Sequence, residues 1–307
     1  MPSSKGSKVF AEAMDRYDWQ SLHQKLQGGK PKDIQKIFSK MKYRICKLMF
    51  HQSSSFVVQK LFEVCDEEQM DQLVFSVTAD PALLMSACLD PQGAESMKKF
   101  LECIRASEQI SQMIRFFSHF SVPLANDQFG SLVIGHCFHI FTAEETKPLL
   151  VAIDRNCSII AVSESGSYLL RAIISKDRPL GFMLMWIMMD AYALSTEPFG
   201  NYVLRHVIGL EIPCLIEEIV ANWSGVFHGL SMDKYGSKVV KKLMKASKRK
   251  YAPQIINDII SSPEFSTVLV DPFGYSVLQT AMQCSKGTVR KRLHDLIRQH
   301  SELLNRR

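Results

Sequence analysis

The sequence predicts an all-α protein built as a solenoid of short helical repeats. A turn motif recurs about every 36 residues, an apolar stripe at helical spacing follows each turn, and a second helical stretch precedes it. The motif is clearest in Asp271-Pro272-Phe273-Gly274 and Glu197-Pro198-Phe199-Gly200. It returns as Asp233-Lys234-Tyr235-Gly236, Asp127-Gln128-Phe129-Gly130 and Asp90-Pro91-Gln92-Gly93. Weaker copies stand at Ser163-Glu164-Ser165-Gly166, His51-Gln52-Ser53-Ser54 and Asp15-Arg16-Tyr17-Asp18. Counted on the last residue of each copy, the turns fall at 18, 54, 93, 130, 166, 200, 236 and 274, with spacings of 34 to 39. A length of 307 residues would ordinarily suggest about two domains, but it divides better by this period.

Each turn reads as a helix start: an acidic residue or serine, then often proline, an aromatic and glycine. Four positions past the turns stand Leu22, Val58, Met97, Ile134, Leu170, Leu204, Val240 and Leu278. Eight positions past stand Leu26, Phe62, Leu101, Phe138, Ile174, Ile208, Met244 and Met282. All are apolar, and the i, i+4 spacing puts them on one helix face. Offsets three and seven are mostly apolar as well, so the stripe is wide enough to be buried by its own repeat and by its neighbours. The preceding helical stretches run over 31–49, 67–87, 144–153 and 213–220. Residues 1–8 read as a flexible N-terminus, 9–307 as a single domain, and an amphipathic helix over about 288–303 as the cap that closes the last repeat.

Composition narrows the function classes. Apolar residues are 46% and charged residues 22%, which excludes a disordered chain, a collagen-like chain and a coiled-coil rod. The excess of 37 Lys+Arg over 31 Asp+Glu, a net +6, permits an anionic partner without demanding one. The longest apolar run, 180–189, is half the roughly 20 residues of a membrane span and reads as buried core, its four methionines as gap-fillers. With a polar start and no secretory signal, a cytoplasmic chain that engages no membrane is expected. Its eight cysteines then read as reduced, buried thiols. His136 and His139 have helical spacing for metal ligands, but no second cluster completes a site, so no metal is expected. No Gly-x-Ser-x-Gly, Gly-x-x-x-x-Gly-Lys or His-Glu-x-x-His is present, and neither an enzyme nor a cofactor is expected.

What varies from repeat to repeat lies at offsets one, two and five. Offsets one and five are i, i+4 on one face, and offset two lies about 100° around the helix. A trio of Asn or Ser, an aromatic and Gln can hydrogen-bond a base edge and stack on its face, one base per repeat, as single-stranded RNA is read. The turn-plus-helix segments Gly200-Asn201-Tyr202-Val203-Leu204 and 54–63, the period and the count of eight resemble the Pumilio (PUF) family of RNA-binding repeats. The resemblance covers about residues 15–290. It implies a right-handed crescent of eight repeats with terminal caps. The concave face would bind single-stranded RNA in untranslated regions of messages, repressing translation or promoting decay, with regulatory proteins on the convex face. A monomer is expected, and a nucleolar or nuclear location stays open.

Taken repeat by repeat, the trios depart from the family pattern. Trp19, Gln20 and His23 come first, then Ser55, Phe56 and Gln59, where Ser with Gln implies adenine recognition. The third repeat has Ala94, Glu95 and Lys98, and the fourth Ser131, Leu132 and Gly135; neither grips a base edge bidentately. Ser167, Tyr168 and Arg171, then Asn201, Tyr202 and Arg205, keep the stacking tyrosine but replace Gln by a cation with no acceptor. Ser237, Lys238 and Lys241 stand where the family often has Ser, Asn and Glu for guanine, and the eighth repeat has Tyr275, Ser276 and Gln279. Cations in place of Gln or Glu exchange base discrimination for phosphate attraction, so relaxed or altered specificity is expected. The run Lys241, Lys242, Lys245, Lys248, Arg249 and Lys250 reads mainly as a solvated face, with only Lys238 and Lys241 at ladder positions. A protein-interaction scaffold that kept the solenoid without RNA readout is the alternative.

Overall fold

The computed structural model describes Ala13, Asp15 and residues 19–175, 181–247 and 250–300. The expected flexible segment 1–8, the first turn position and the end of the expected cap therefore lie outside the described residues. The chain forms two compact units that divide between Asn156 and Cys157. In the first unit the helices are α1 (Trp19–Gln27), α2 (Pro31–Met41), α3 (Ile45–Met49), α4 (Ser54–Val64), α5 (Glu67–Thr78), α6 (Pro81–Leu89), α7 (Pro91–Cys103), α8 (Ser107–His119), α9 (Ser121–Asn126), α10 (Gln128–Ile140) and α11 (Ala143–Arg155). A 3-10 turn over Lys42–Arg44 links α2 to α3. The second unit holds α12 (Cys157–Ala161), α13 (Glu164–Ile174), α14 (Gly181–Met189), α15 (Ala191–Thr196), α16 (Gly200–Gly209), α17 (Pro213–Asn222), α18 (Phe227–Met232), α19 (Gly236–Ala246), α20 (Ala252–Ser261), α21 (Phe265–Val270), α22 (Pro272–Cys284) and α23 (Gly287–Gln299).

The pattern within each unit is a long outer helix, a short connecting helix and an inner helix that starts at the turn. Inner helices α1, α4, α7 and α10 pack in succession in the first unit, and α13, α16, α19 and α22 in the second. The residues four past each turn are all buried, and of those eight past only Met282 is partly open. The apolar stripe is thus the core, shared between neighbouring repeats. The last described helix, α23, spans Gly287–Gln299 and buries Leu293.

Three expectations change. The outer stretch over 67–87 is two helices, because Pro81 offers no N–H and forces Asp80 into an extended conformation at φ −124° and ψ 92°. Asp80 then caps α6 by accepting from the Leu83 N–H at 3.0 Å. The run 180–189 is not fully buried: Met183, Ile187 and Met188 face the core, while Phe182, Met185 and Met189 are exposed. The eight cysteines are not all buried: Cys214 is exposed and Cys65, Cys103 and Cys284 are only partly covered. Among the described residues no single helix is long and apolar enough to cross a membrane.

The glycine of the turn has a steric cause. A Cβ on Gly93 would collide with the Ala87 carbonyl oxygen, and one on Gly166 with that of Ile160. Gly130, Gly200, Gly236 and Gly274 crowd the carbonyls of Leu124, Leu194, Leu230 and Val268 in the same way, always six residues back at the end of the short helix. At position 54 a serine stands instead, and its hydroxyl donates to the Leu48 carbonyl, six residues back, at 2.8 Å. One carboxylate oxygen fixes the other side of most turns. Asp90, Asp127, Asp233 and Asp271 each accept from two successive N–H groups, the second being that of the glycine, at 2.6–2.8 Å. At 166 the Ser163 hydroxyl accepts from the Gly166 N–H at 3.0 Å.

Gly166→Ala is therefore expected to cost about 1–3 kcal/mol of unfolding free energy through overpacking. Gly229→Ala places its methyl in open space on the exposed side of α18 and should cost nothing or stabilise slightly; urea titrations of the two variants compare them. A buried charge supplies a second expectation. Asp154, 8% exposed in the last turn of α11, has one carboxylate oxygen without a partner, and burial pushes its pKa up to about 6. A folded-state pKa above the unfolded value of about 3.9 means that the group favours folding at low pH and loses that contribution as pH rises through about 6. Asp154→Asn should thus gain on the order of 2 kcal/mol over the parent at pH 7.5 and little at pH 4, read from thermal unfolding across that range.

Candidate nucleic-acid interface

Each inner helix from α4 onward begins at its steric turn, so offsets one, two and five occupy equivalent places in successive repeats. At offset one Ser55, Ser131, Ser167, Asn201 and Ser237 are all buried. Their side chains brace their own turns: Ser55 donates to the Gln52 carbonyl at 3.3 Å, Ser131 to Gln128 at 3.0 Å, Ser167 to Glu164 at 2.9 Å and Ser237 to Lys234 at 3.4 Å. The Asn201 amide donates to the carbonyls of Glu197 and Pro198, both at 2.9 Å, which leaves its buried Oδ1 without a partner. Such local bonding is what short polar side chains do at helix starts.

Offset two is open. Phe56, Tyr168 and Tyr202 are 46%, 63% and 43% exposed, and Leu132 holds the same place in the fourth repeat. Neighbouring rings and cations already use these faces. Trp19 stacks on Phe56 with ring centres 5.1 Å apart and planes inclined 26°, and His23 meets Trp19 edge-on. In the second unit the Arg171 guanidinium lies 5.8 Å from the Tyr168 ring centre and 5.5 Å from that of Tyr202, while Arg205 lies 5.7 Å from Tyr202 on its own helix. Tyr168, Arg171, Tyr202 and Arg205 thus alternate as a cation–π ladder. Gln20, beside Trp19, is exposed.

At offset five the groups differ in how free they are. The Gln59 amide donates to Ser96 at 3.2 Å, and Ser96 in turn to the Met49 carbonyl at 2.8 Å, so part of its hydrogen-bonding capacity is spent across the repeat boundary. Lys98 pairs with Glu95 at 2.6 Å, which neutralises the cation expected to attract phosphate. The Nε of Arg205 is buried without a partner. Lys241 donates to the Ser276 hydroxyl at 2.8 Å; burial, then the charges of Lys245, Lys238 and Arg205, hold its pKa below the usual lysine value. Gln279 is exposed, and Tyr275 and Ser276 are partly covered.

A further row, at offsets six and nine, escaped the sequence reading. In the first unit it is self-neutralising. Lys60 pairs with Glu63 at 2.9 Å, Glu63 with Lys99 at 2.8 Å, Lys99 with Glu102 at 3.7 Å, and Glu102 lies 3.3 Å from His136. Hydrogen bonds from Lys99 and Lys60 hold the Glu63 carboxyl below its ordinary pKa, and burial holds His136 below its own. In the second unit the same row runs through Ser175, His206, Lys242, Lys245, Thr280 and Gln283, with no carboxylate. His206, 3.0 Å from Ser175, is held below its ordinary pKa by burial and by the charges of Arg171 and Lys242. Lys242 and Lys245 thus line one cleft with the ladder residues Arg205, Lys238 and Lys241. Lys250 stands apart beside Tyr251 and Glu217, and Lys248 and Arg249 lie outside the described residues. The signal was present as a charge period of one repeat, visible only once offsets six and nine are aligned. Among the described residues no group of three or more metal-ligating side chains gathers.

The signature of the Pumilio-family RNA binding repeat (PUF) matches residues 44–78, 122–153, 190–209 and 227–260. Pumilio homolog 12 of Arabidopsis thaliana is 31% identical over 293 residues, 95% of this chain and 49% of the relative. Pumilio homolog 14 of the same plant is 31% identical over 290 residues, 92% of this chain and 55% of the relative. The chain thus spans about half the length of the curated relatives it matches. In solved structures the fold is similar to the Puf4 RNA binding domain bound to the HO endonuclease RNA 3′ UTR recognition sequence, with a TM-score of 0.76, 24% identity and coverage of 93% of this chain and 90% of that one. It is also similar to the RNA-binding domain of yeast Puf5p bound to MFA2 RNA, with a TM-score of 0.76, 20% identity and coverage of 96% and 88%.

The cation–π ladder carries its own test. Tyr202→Leu removes a ring that two guanidiniums face and should lower unfolding free energy by about 1 kcal/mol, whereas Tyr202→Phe, which keeps the ring, should leave it within about 0.5 kcal/mol. Equal losses in the two variants would mean that the hydroxyl and not the ring matters.

Proposed function

Since the chain belongs to the Pumilio repeat family, we propose that it is a single-stranded RNA-binding module which regulates the translation or stability of messages through their untranslated regions. In this reading the eight turn-led helices form one Pumilio domain that acts as a cytoplasmic monomer, performs no chemistry and leaves its outer helices to regulatory proteins. The observation that carries the reading is the alternation of Tyr168, Arg171, Tyr202 and Arg205 on successive inner helices. Exposed rings at one-repeat intervals suit unstacked bases. The RNA-binding residues are the trios of repeats one, two and five to eight, with Lys98 and Ser131 as weak contributors.

Specificity is relaxed relative to the family. Arg171, Arg205 and Lys241 only donate, so they accept nothing from a base edge and favour phosphate or acceptor-rich partners. The third and fourth repeats, with Ala94, the Glu95–Lys98 pair, Leu132 and Gly135, interrupt the ladder. That interruption is what favours the second reading, a protein-interaction scaffold. Crosslinking to RNA in cells separates the two: the parent should crosslink, and the Phe56→Ala, Tyr168→Ala, Tyr202→Ala triple variant should lose most of the signal. Crosslinking that survives the triple change would move the RNA site off the inner helices, and a parent that never crosslinks would favour the scaffold.

A further inference from the structure

The inner surface of the second unit opens into a cleft of about 470 Å³ between α16, α19 and α22. Five cations line it: Arg205 from α16, and Lys238, Lys241, Lys242 and Lys245 from α19. Spaced i, i+3, i+4 and i+7, the four lysines share one face of α19. The opposite wall, from α22, contributes the hydroxyls of Ser276 and Thr280 and the amides of Gln279 and Gln283. No carboxylate lines the cleft, and among the described residues none of the five cations forms an ion pair.

That arrangement is costly in an isolated protein. Like charges at i, i+4, here Lys238 with Lys242 and Lys241 with Lys245, destabilise a helix. Arg205 has a buried Nε with no partner, and burial, then the neighbouring charges, disfavour the protonated form of Lys241. The corresponding lysines of the first unit, Lys60 and Lys99, are matched by Glu63 and Glu102. In the second unit Lys242 keeps the place of these lysines and Lys245 takes that of the glutamates, and a concave basic surface with no carboxylate lining it concentrates anions. The neutral wall supplies hydroxyl and amide donors that fit phosphate oxygens.

We infer that this cleft is a phosphate clamp, gripping two or three successive phosphates of a single strand independently of the bases attached to them. The inference rests on the RNA-binding reading above and assigns a distinct task within it: the tyrosine ladder faces bases, and the α16–α19–α22 cleft holds backbone. Phosphodiester oxygens are the ligand chemistry, and a continuous strand supplies them at the spacing the lysine face requires; free phosphate is the other source.

The clamp is tested with an abasic eight-residue sugar-phosphate strand, which offers phosphates and no bases, beside an ordinary RNA of the same length. The parent should bind both, with log affinity falling steeply against log salt. The Lys238→Gln, Lys242→Gln, Lys245→Gln variant should lose abasic binding at least tenfold and flatten the salt slope by about 2, the change expected for three contacts on a single strand. The matching lysine-to-arginine variant should keep the slope, and Lys32→Gln, Lys36→Gln, Lys47→Gln, which removes three exposed lysines from α2 and α3, should leave it unchanged. An abasic strand that fails to bind, or a slope the glutamine variant does not alter, overturns the clamp even if ordinary RNA binds well. Inorganic phosphate that competes as effectively per charge as the strand also overturns it, assigning the cleft to the free anion. Abasic binding without crosslinking to cellular RNA would instead sink the RNA-binding reading and leave the clamp standing.

Discussion

The contact between the backbone at each turn and a carbonyl six residues earlier sets the position of everything on the inner surface. Where the short helix ends, its carbonyl oxygen lies so close to the start of the inner helix that a side chain at that point is excluded, as at Gly93, Gly130, Gly166 and Gly274. Ser54 shows that the requirement is for the approach and not for glycine as such, because its hydroxyl converts the same crowding into a hydrogen bond with Leu48. The Asp N-caps hold the first N–H groups of the inner helix at the same point. Where the start is fixed on both sides, as in α7, α10, α19 and α22, the rotation of the inner helix is fixed, and the apolar stripe at offsets four and eight is delivered into the core.

Much of this is legible in the chain itself. The period and the stripe are local properties, and burial follows them closely, with Met282 alone of the sixteen stripe residues left partly open. The reason for the turn glycine is not legible, since it depends on an atom six residues back whose closeness is tertiary. The split of the 67–87 stretch is foreshadowed by Pro81, which acts through its missing N–H and the restriction it places on Asp80. The exposure of Phe182, Met185 and Met189 is hidden because an unbroken apolar run carries no periodicity to separate an inner face from an outer one.

The site is legible in part, and the boundary follows the range of the interactions. Offsets two and five are identifiable as open positions, because side-chain direction on a helix follows from spacing. What those side chains do to each other is not. Stacking of Trp19 on Phe56, insertion of Arg171 between two tyrosines, and the bond from Gln59 to Ser96 all join one repeat to the next. The same holds for the charge row at offsets six and nine, where Glu63 and Glu102 matter through lysines more than thirty residues away or one turn along the helix. A one-dimensional stack makes such couplings short in space and regular in sequence, but only after the repeats are superposed.

The turn contact also separates two kinds of inheritance. Because the helix start is held by backbone carbonyls and caps, nothing at offsets two, five, six or nine takes part in setting the frame. Residues there can change, as at Arg171, Lys241, Leu132 and Gly135, at a modest cost in stability and without moving the turn that sets their place. Such a surface is rewritten one position at a time, and a lineage of these chains can wander between partners while its architecture stays almost silent to the change.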